Sequence, residues 1–142
     1  MDAKKKAASL IRKYGTNNPF KIAAEKNILI LFENLGSING YYNKQLRQKQ
    51  IHINQNLSRH MQRFTAAHEL GHALIHPNEN TPFLRNNTFL LVDKLEIEAN
   101  HFAIELLIPD SEFREYISSS HTVDQIARIY GYDRELIKLK QI

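Results

Sequence analysis

Apolar residues recur along this chain with two different periods, and each change of period marks a change of element. Ala7, Leu10, Ile11 and Tyr14 fall on one side of a helical wheel and the lysines on the other, which predicts an amphipathic helix over Ala3–Tyr14 that Gly15 ends. Thr16-Asn17-Asn18-Pro19 reads as a turn, and Pro19 can open a second short helix through Phe20, Ile22, Ala23 and Ala24 to Asn27. The run Ile-Leu-Ile-Leu-Phe at 28–32 is short, apolar and rich in β-branched residues, so it reads as a buried strand. Asn39-Gly40 leads into Tyr41-Tyr42, a basic, glutamine-rich excursion covers 44–50, and Ile51-His52-Ile53-Asn54 alternates apolar and polar with a strand's period of two.

A longer helical pattern follows at 56–77, Asn-Leu-Ser-Arg-His-Met-Gln-Arg-Phe-Thr-Ala-Ala-His-Glu-Leu-Gly-His-Ala-Leu-Ile-His-Pro. Its residues are mostly apolar or small, which marks a buried helix; Asn56 or Ser58 can cap its start and Pro77 closes it. Gly71, about 1 kcal/mol worse than alanine inside a helix, implies that another element approaches closely there. Residues 78–82 read as a loop and 83–92 as a further strand or hairpin. Apolar positions at 95, 99, 102, 103, 106 and 107 then give a second helix that Pro109-Asp110 terminates. The tail from 122 reads as two short helices broken at Gly131, which pack on the core or touch a partner protein. The expected architecture is α+β, a single domain with a small twisted sheet of three or four strands against the helix at 56–77. Its parts are helices and sheet over 1–55, the helix at 56–77, the helix at 94–109 and the helical tail at 122–142.

Composition narrows the classes. A chain of 142 residues fits one domain with one substantial core. No stretch nears the roughly 20 apolar residues of a membrane span, and the lysine-rich start lacks the apolar segment of a signal peptide, so a cytoplasmic protein is expected. The absence of cysteine removes disulfides, thiolate metal sites and cysteine nucleophiles. The net charge of +4 conceals an asymmetry: residues 1–63 carry +9 and residues 64–142 carry −5. A basic half can meet nucleic acid or an acidic protein surface, but lysines on solvated helix faces account for most such counts, and no specific nucleic-acid partner is expected.

The candidate chemistry sits in the long helix. His68 and His72 are four residues apart, so both imidazoles leave one face about a turn apart and can hold a single ion, with Glu69 beside it. This is the H-E-x-x-H arrangement, in which neutral imidazoles suit zinc and the carboxylate takes a proton from the attacking water. Burying two histidines and a glutamate in an apolar helix without a partner is costly, and a metal is such a partner. Manganese or iron would also suit two histidines and a carboxylate.

A catalytic zinc usually takes three protein ligands, so one more must come from elsewhere. His76 cannot easily share an ion with His68, two turns away along a straight helix. Among the glutamates of the second helix, Glu96 and Glu98 compete; a ligating Glu96 would bring Asn100, one turn on, alongside as a hydrogen-bonding support. His52 lies on the polar face of its strand and reads as an exposed or hydrogen-bonded histidine. His101, Tyr116 and His121 are candidate donors to a tetrahedral oxyanion, and each also fits ordinary packing or surface exposure.

Two spaced motifs carry a family resemblance. Arg63-Gln-Phe-Thr-Ala-Ala-His-Glu-Leu-Gly-His72 and Glu96-Ile-Glu-Ala-Asn-His-Phe-Ala-Ile-Glu-Leu-Leu-Ile-Pro109 resemble the paired signatures of the ImmA/IrrE-type metallopeptidases, which are zincins; the likeness extends to Asn18-Pro-Phe-Lys-Ile and to the strand ending in Asn54. It is strongest to the ImmA proteins of phages and integrative elements. The resemblance implies metal ligands His68, His72 and Glu96, with Glu69 as the catalytic base. It further implies an intracellular protease that cuts a helix-turn-helix immunity repressor and so derepresses a mobile element. A metal-containing antirepressor that captures the repressor without cutting it is the alternative. A monomer with no membrane partner is expected.

Overall fold

The computed structural model describes residues 2–81 and 89–141, the side chains of 89–93 excepted. Helix α1 spans Ala3–Tyr14, as its apolar period predicts: Asp2 Oδ1 accepts from the amides of Lys4 (2.9 Å) and Lys5 (3.3 Å) at its start. At its end Gly15, at φ 66°, donates its N–H to Ile11. Helix α2, Pro19–Glu25, begins on its proline with Asn18 as cap.

Three strands form the sheet among the described residues: β1 Leu29–Glu33, β2 Gly40–Gln45 and β3 Gln48–Asn54, in the order β1-β3-β2. The central strand β3 pairs parallel with β1 and antiparallel with β2. Two expectations are corrected here. The excursion at 44–50 is the end of β2, a two-residue hairpin turn and the start of β3; Leu46 (φ 49°) and Arg47 (φ 68°) take the left-handed conformation that suits strand twist, without the usual Asn-Gly signal. The apolar run at 28–32 is an edge strand, not a buried one: Leu29 and Phe32 are 45% and 48% exposed, and Phe32 stacks on Phe20 at 6.1 Å.

Helix α3, Arg59–Ile75, is capped by Ser58, whose Oγ accepts from Met61 N at 3.2 Å; every residue from Phe64 to Ala73 is buried. Helix α4 spans Phe89–Leu107. The strand or hairpin expected at 83–92 therefore fails for Phe89 onward, where the chain is already helical, and its remainder lies outside the described residues. Helices α5 (Asp110–Ser118), α6 (Val123–Tyr130) and α7 (Arg134–Ile137) follow; a capping box of Thr122 and Gln125 opens α6, and Gly131 at φ 72° ends it. None of the described helices is long and apolar enough to cross a membrane.

Helix α3 packs on the sheet with one side and on α4 with the other. Gly71 makes the second contact possible: a Cβ there would lie 3.1 Å from Phe102 Cδ1 and 3.2 Å from the Cα of Ala99. Gly40 does the same for the first, since a Cβ on it would meet the His52 carbonyl oxygen and Thr65 Cγ2, both at 2.6 Å. The core between these layers is filled by Ile22, Tyr42, Ile51, Ile53, Leu70 and Phe102, all fully buried. At the far end of α4 a cluster of charges fastens both ends of the described chain. Lys140 Nζ donates to Glu105 (2.7 Å) and Asp110 (2.5 Å), Lys4 Nζ to Glu105 (3.2 Å) and Asp110 (2.9 Å), and Gln141 N to Glu105 (2.8 Å).

Candidate metal centre

The buried stretch of α3 carries His68, Glu69 and His72 inward, with exposures of 8%, 2% and 0%. The imidazoles of His68 and His72, one turn apart, lie edge to face with ring centres 4.9 Å apart. The close crossing at Gly71 brings Glu96 of α4 over both. Its carboxylate lies 2.8 Å from His72 Nε2 through Oε1 and 3.2 Å from His68 Nε2 through Oε2. Glu69 Oε2 is 4.0 Å from His68 Nε2, and His68, Glu69 and His72 each offer a ligand atom within 4.8 Å of the others.

The donor set fits a divalent ion. Tetrahedral ligands at about 2.0–2.1 Å from zinc lie roughly 3.3 Å from one another; the Glu96 contact with His68, 3.2 Å, is close to that spacing, and the contact with His72, 2.8 Å, is about 0.5 Å shorter. The correct ring nitrogens are also presented. Asn100 Oδ1 accepts from His68 Nδ1 at 2.7 Å, so Nε2, on the side of Glu96, is the nitrogen offered to an ion that would take the place of its proton. Electrostatics set the two rings apart. Burial lowers the His72 pKa, only partly offset by Glu96, to about 4, so the ring is a neutral ligand at physiological pH. Burial by itself would raise the Glu96 pKa, but hydrogen bonds from His68 and His72 outweigh it and hold the carboxyl well below the usual range, so that it is ionised. For His68, desolvation opposes the charged form, yet Glu96 and Glu69 outweigh it and the pKa is raised. A cavity of about 390 Å³ opens onto the cluster, walled by Ile38, Asn39 and Gly40 on one side and by Met61, Phe64 and Thr65 on the other.

The structure brings His68, Glu69, His72 and Glu96 together and distributes the other candidates elsewhere. Glu98 is turned away from the pair and lies 3.6 Å from His76 Nε2; His76 stands behind His72, with 3.1 Å between their Nδ1 atoms. Asn100, expected alongside the site as a hydrogen-bonding support, bonds to His68. His101 is bonded to Glu105 at 2.9 Å, and Tyr116 packs edge to face against His121 at 5.2 Å; none of the three lines the cavity. His52 is held between Glu33 (2.5 Å) and Asn43 (3.0 Å), a buried hydrogen-bonded histidine. The wall at 38–40 carries no signal in the sequence beyond the Asn39-Gly40 pair that leads into β2.

Comparison with known proteins places the chain in a family. The peptidase M78 model, described as the IrrE N-terminal-like domain, matches residues 23–140. The chain belongs to this metallopeptidase family. It is similar to an uncharacterized immunity region protein 2 of Bacillus phage phi105, 45% identical over 134 residues that cover 94% of this chain and 85% of that one. It is also similar to the metallopeptidase ImmA of Bacillus subtilis strain 168, at 42% identity over 132 residues, 90% of this chain and 77% of that protein. The fold resembles that of a Mycobacterium tuberculosis transcriptional regulator, with a TM-score of 0.62 and 17% identity. That match covers 97% of this chain but only 45% of the regulator, and it bears on the fold alone. A metallopeptidase family implies a divalent metal, and the His-Glu-His group buried in this chain could hold one.

Proposed function

We propose that this M78 chain is a site-specific zinc metalloprotease of the cytoplasm. It acts as a monomer and cuts the helix-turn-helix repressor of a phage or integrative element. The observation that carries the reading is the Glu96 carboxylate reaching both Nε2 atoms, 2.8 and 3.2 Å away, across the contact between α3 and α4. The choice of substrate draws on the immunity-region context of the phi105 relative and on the name of the ImmA relative.

In this reading His68, His72 and Glu96 hold the ion, which acidifies water and polarises the scissile carbonyl when bound. Glu69, next to His68 and buried, takes the proton from the attacking water and delivers it to the leaving amine. Asn100 fixes the tautomer of His68. The substrate enters along β2. Tyr42 turns its N–H away from β3 to Thr81 Oγ1 at 2.9 Å, so Gly40, two residues earlier, presents its N–H and C=O on the same outer edge. Thr81 and Asn80 cover that edge at Tyr42 and Lys44, and Gly40 borders the cavity, where an extended peptide can pair with it.

The test is mass analysis of the metal-loaded protein incubated with the repressor encoded beside it. Two fragments from one cut bond are expected, together with loss of cutting in a Glu69→Gln variant that still binds metal and folds. An intact repressor held in a stable complex with the loaded wild-type protein would replace cleavage with capture.

A further inference from the structure

The two side chains that the site leaves out, His76 and Glu98, lie in line behind His72. His76 is where α3 ends (φ −124°, ψ 54°), and its ring faces that of His72 with centres 5.3 Å apart and Nδ1 atoms 3.1 Å apart. A contact of that length between two imidazole nitrogens requires that one donate and the other accept. His72 is fully buried, so its Nδ1 has no bulk water to turn to. On the other side of His76, itself 8% exposed, the Nε2 atom faces Glu98 Oε1 at 3.6 Å, slightly beyond hydrogen-bond length.

We propose that Glu98 and His76 are positioning residues that select the tautomer of the metal ligand His72. The carboxylate favours the His76 proton on Nε2, His76 Nδ1 is then bare and accepts from His72 Nδ1–H, and His72 Nε2 is left to bind the ion. His68 achieves the same end through the amide oxygen of Asn100. The two ligands are thus oriented by different means: one rests on α4 directly, the other through a second imidazole. The inference rests on the metallopeptidase reading and assigns work to two residues that reading does not use.

The experiment is chelator competition for Zn2+ with the full chain, in the wild type and in His76→Ala, His76→Asn, Glu98→Ala and the double variant His76→Asn with Glu98→Ala, with thermal unfolding of each metal-free protein alongside. Loss of such a supporting hydrogen bond typically weakens metal binding about 10- to 100-fold, and His76→Ala is expected in that range. His76→Asn puts an amide oxygen near the position of Nδ1 and should recover most of the affinity. Glu98→Ala should weaken binding about 10-fold when His76 is present and leave it unchanged in the His76→Asn background. Imidazole 15N spectra of the Zn2+-loaded protein should show His72 protonated at Nδ1 and His76 at Nε2. A folded His76→Ala variant with wild-type affinity overturns the proposal, as does a Glu98→Ala effect of equal size in both backgrounds. Should His76→Ala not fold, the Asn pair decides alone. If the wild-type chain binds no divalent ion, the metallopeptidase reading falls and this inference with it; wild-type binding that the variants leave intact removes this inference only.

Discussion

Gly71→Ala sets helix propensity against packing at the point where the two site-bearing helices touch. Alanine is the better helix former by about 1 kcal/mol, so on propensity alone the variant gains stability. The added Cβ, however, would stand 3.1 Å from Phe102 Cδ1, 3.2 Å from Ala99 Cα and 3.3 Å from Phe102 Cβ, where ordinary contact begins at 3.4 Å. Phe102 is fully buried, and Ala99 Cα is backbone, so relief requires α4 to retreat by a few tenths of an ångström. Overpacking of this kind costs about 1–3 kcal/mol, so the net change lies between about zero and 2 kcal/mol of destabilisation. The larger effect falls on the site. Glu96 and Asn100 flank Ala99 on α4, and their contacts of 2.7–3.2 Å with His68 and His72 lengthen by a comparable amount. Metal sites tolerate about 0.2 Å, so zinc affinity should fall about 10-fold, equivalent to 1.4 kcal/mol. Urea unfolding of the metal-free protein and chelator competition measure the two effects. A Gly71→Ala protein that is more stable by about 1 kcal/mol and binds zinc as tightly as wild type would refute the reasoning.

Gly40→Ala places a Cβ 2.6 Å from the His52 carbonyl and from Thr65 Cγ2, so it should destabilise by about 3 kcal/mol or more, read by urea unfolding; a loss under 1 kcal/mol would contradict the close approach of β2 to α3. Asn100→Ala removes the acceptor for His68 Nδ1 and should weaken zinc binding about 10- to 100-fold, with Asn100→Asp retaining it, by chelator competition. Acid should loosen the cluster that fastens the chain ends. Burial alone would raise the Glu105 pKa, but His101, Lys140 and the Gln141 amide pull it down to about 2, and hydrogen bonds from Lys140 and Lys4 pull Asp110 to about 2. A depressed folded pKa stabilises above the unfolded value and is lost as pH falls through the folded one. Stability should therefore drop between about pH 4.5 and 2, by on the order of 3 kcal/mol for Glu105, and the drop should shrink in Lys140→Met.

Local features of the site were legible because they obey short-range rules. The four-residue spacing of His68 and His72, the need of Gly71 for a close neighbour and the register of Glu96 with Asn100 all follow from helix geometry, and the distances agree with them. What sequence did not disclose depends on which surfaces meet. Spacing favoured Glu96 but kept Glu98 as a competitor, and the crossing of α3 over α4 turns one towards His68 and the other towards His76. The register of Asn100 with Glu96 placed it beside the site, but that its partner would be His68 of the other helix depends on the crossing. The run at 28–32 looked buried from its apolarity, but β1 is an edge strand and leaves Leu29 and Phe32 open. The hairpin at Leu46-Arg47 lacks the residues that usually announce such a turn. The charge cluster joins positions 4, 105, 110 and 140, which no local pattern connects.

The central claim, that residues 68, 72 and 96 share one ion while Glu69 acts on the substrate, is tested most directly by the stoichiometry of metal binding in a titration of purified protein. The account expects one divalent ion per chain in the wild type and in Glu69→Gln, and none held tightly in His68→Ala, His72→Ala or Glu96→Ala. Full binding by Glu96→Ala, or loss of binding in a folded Glu69→Gln, would contradict it.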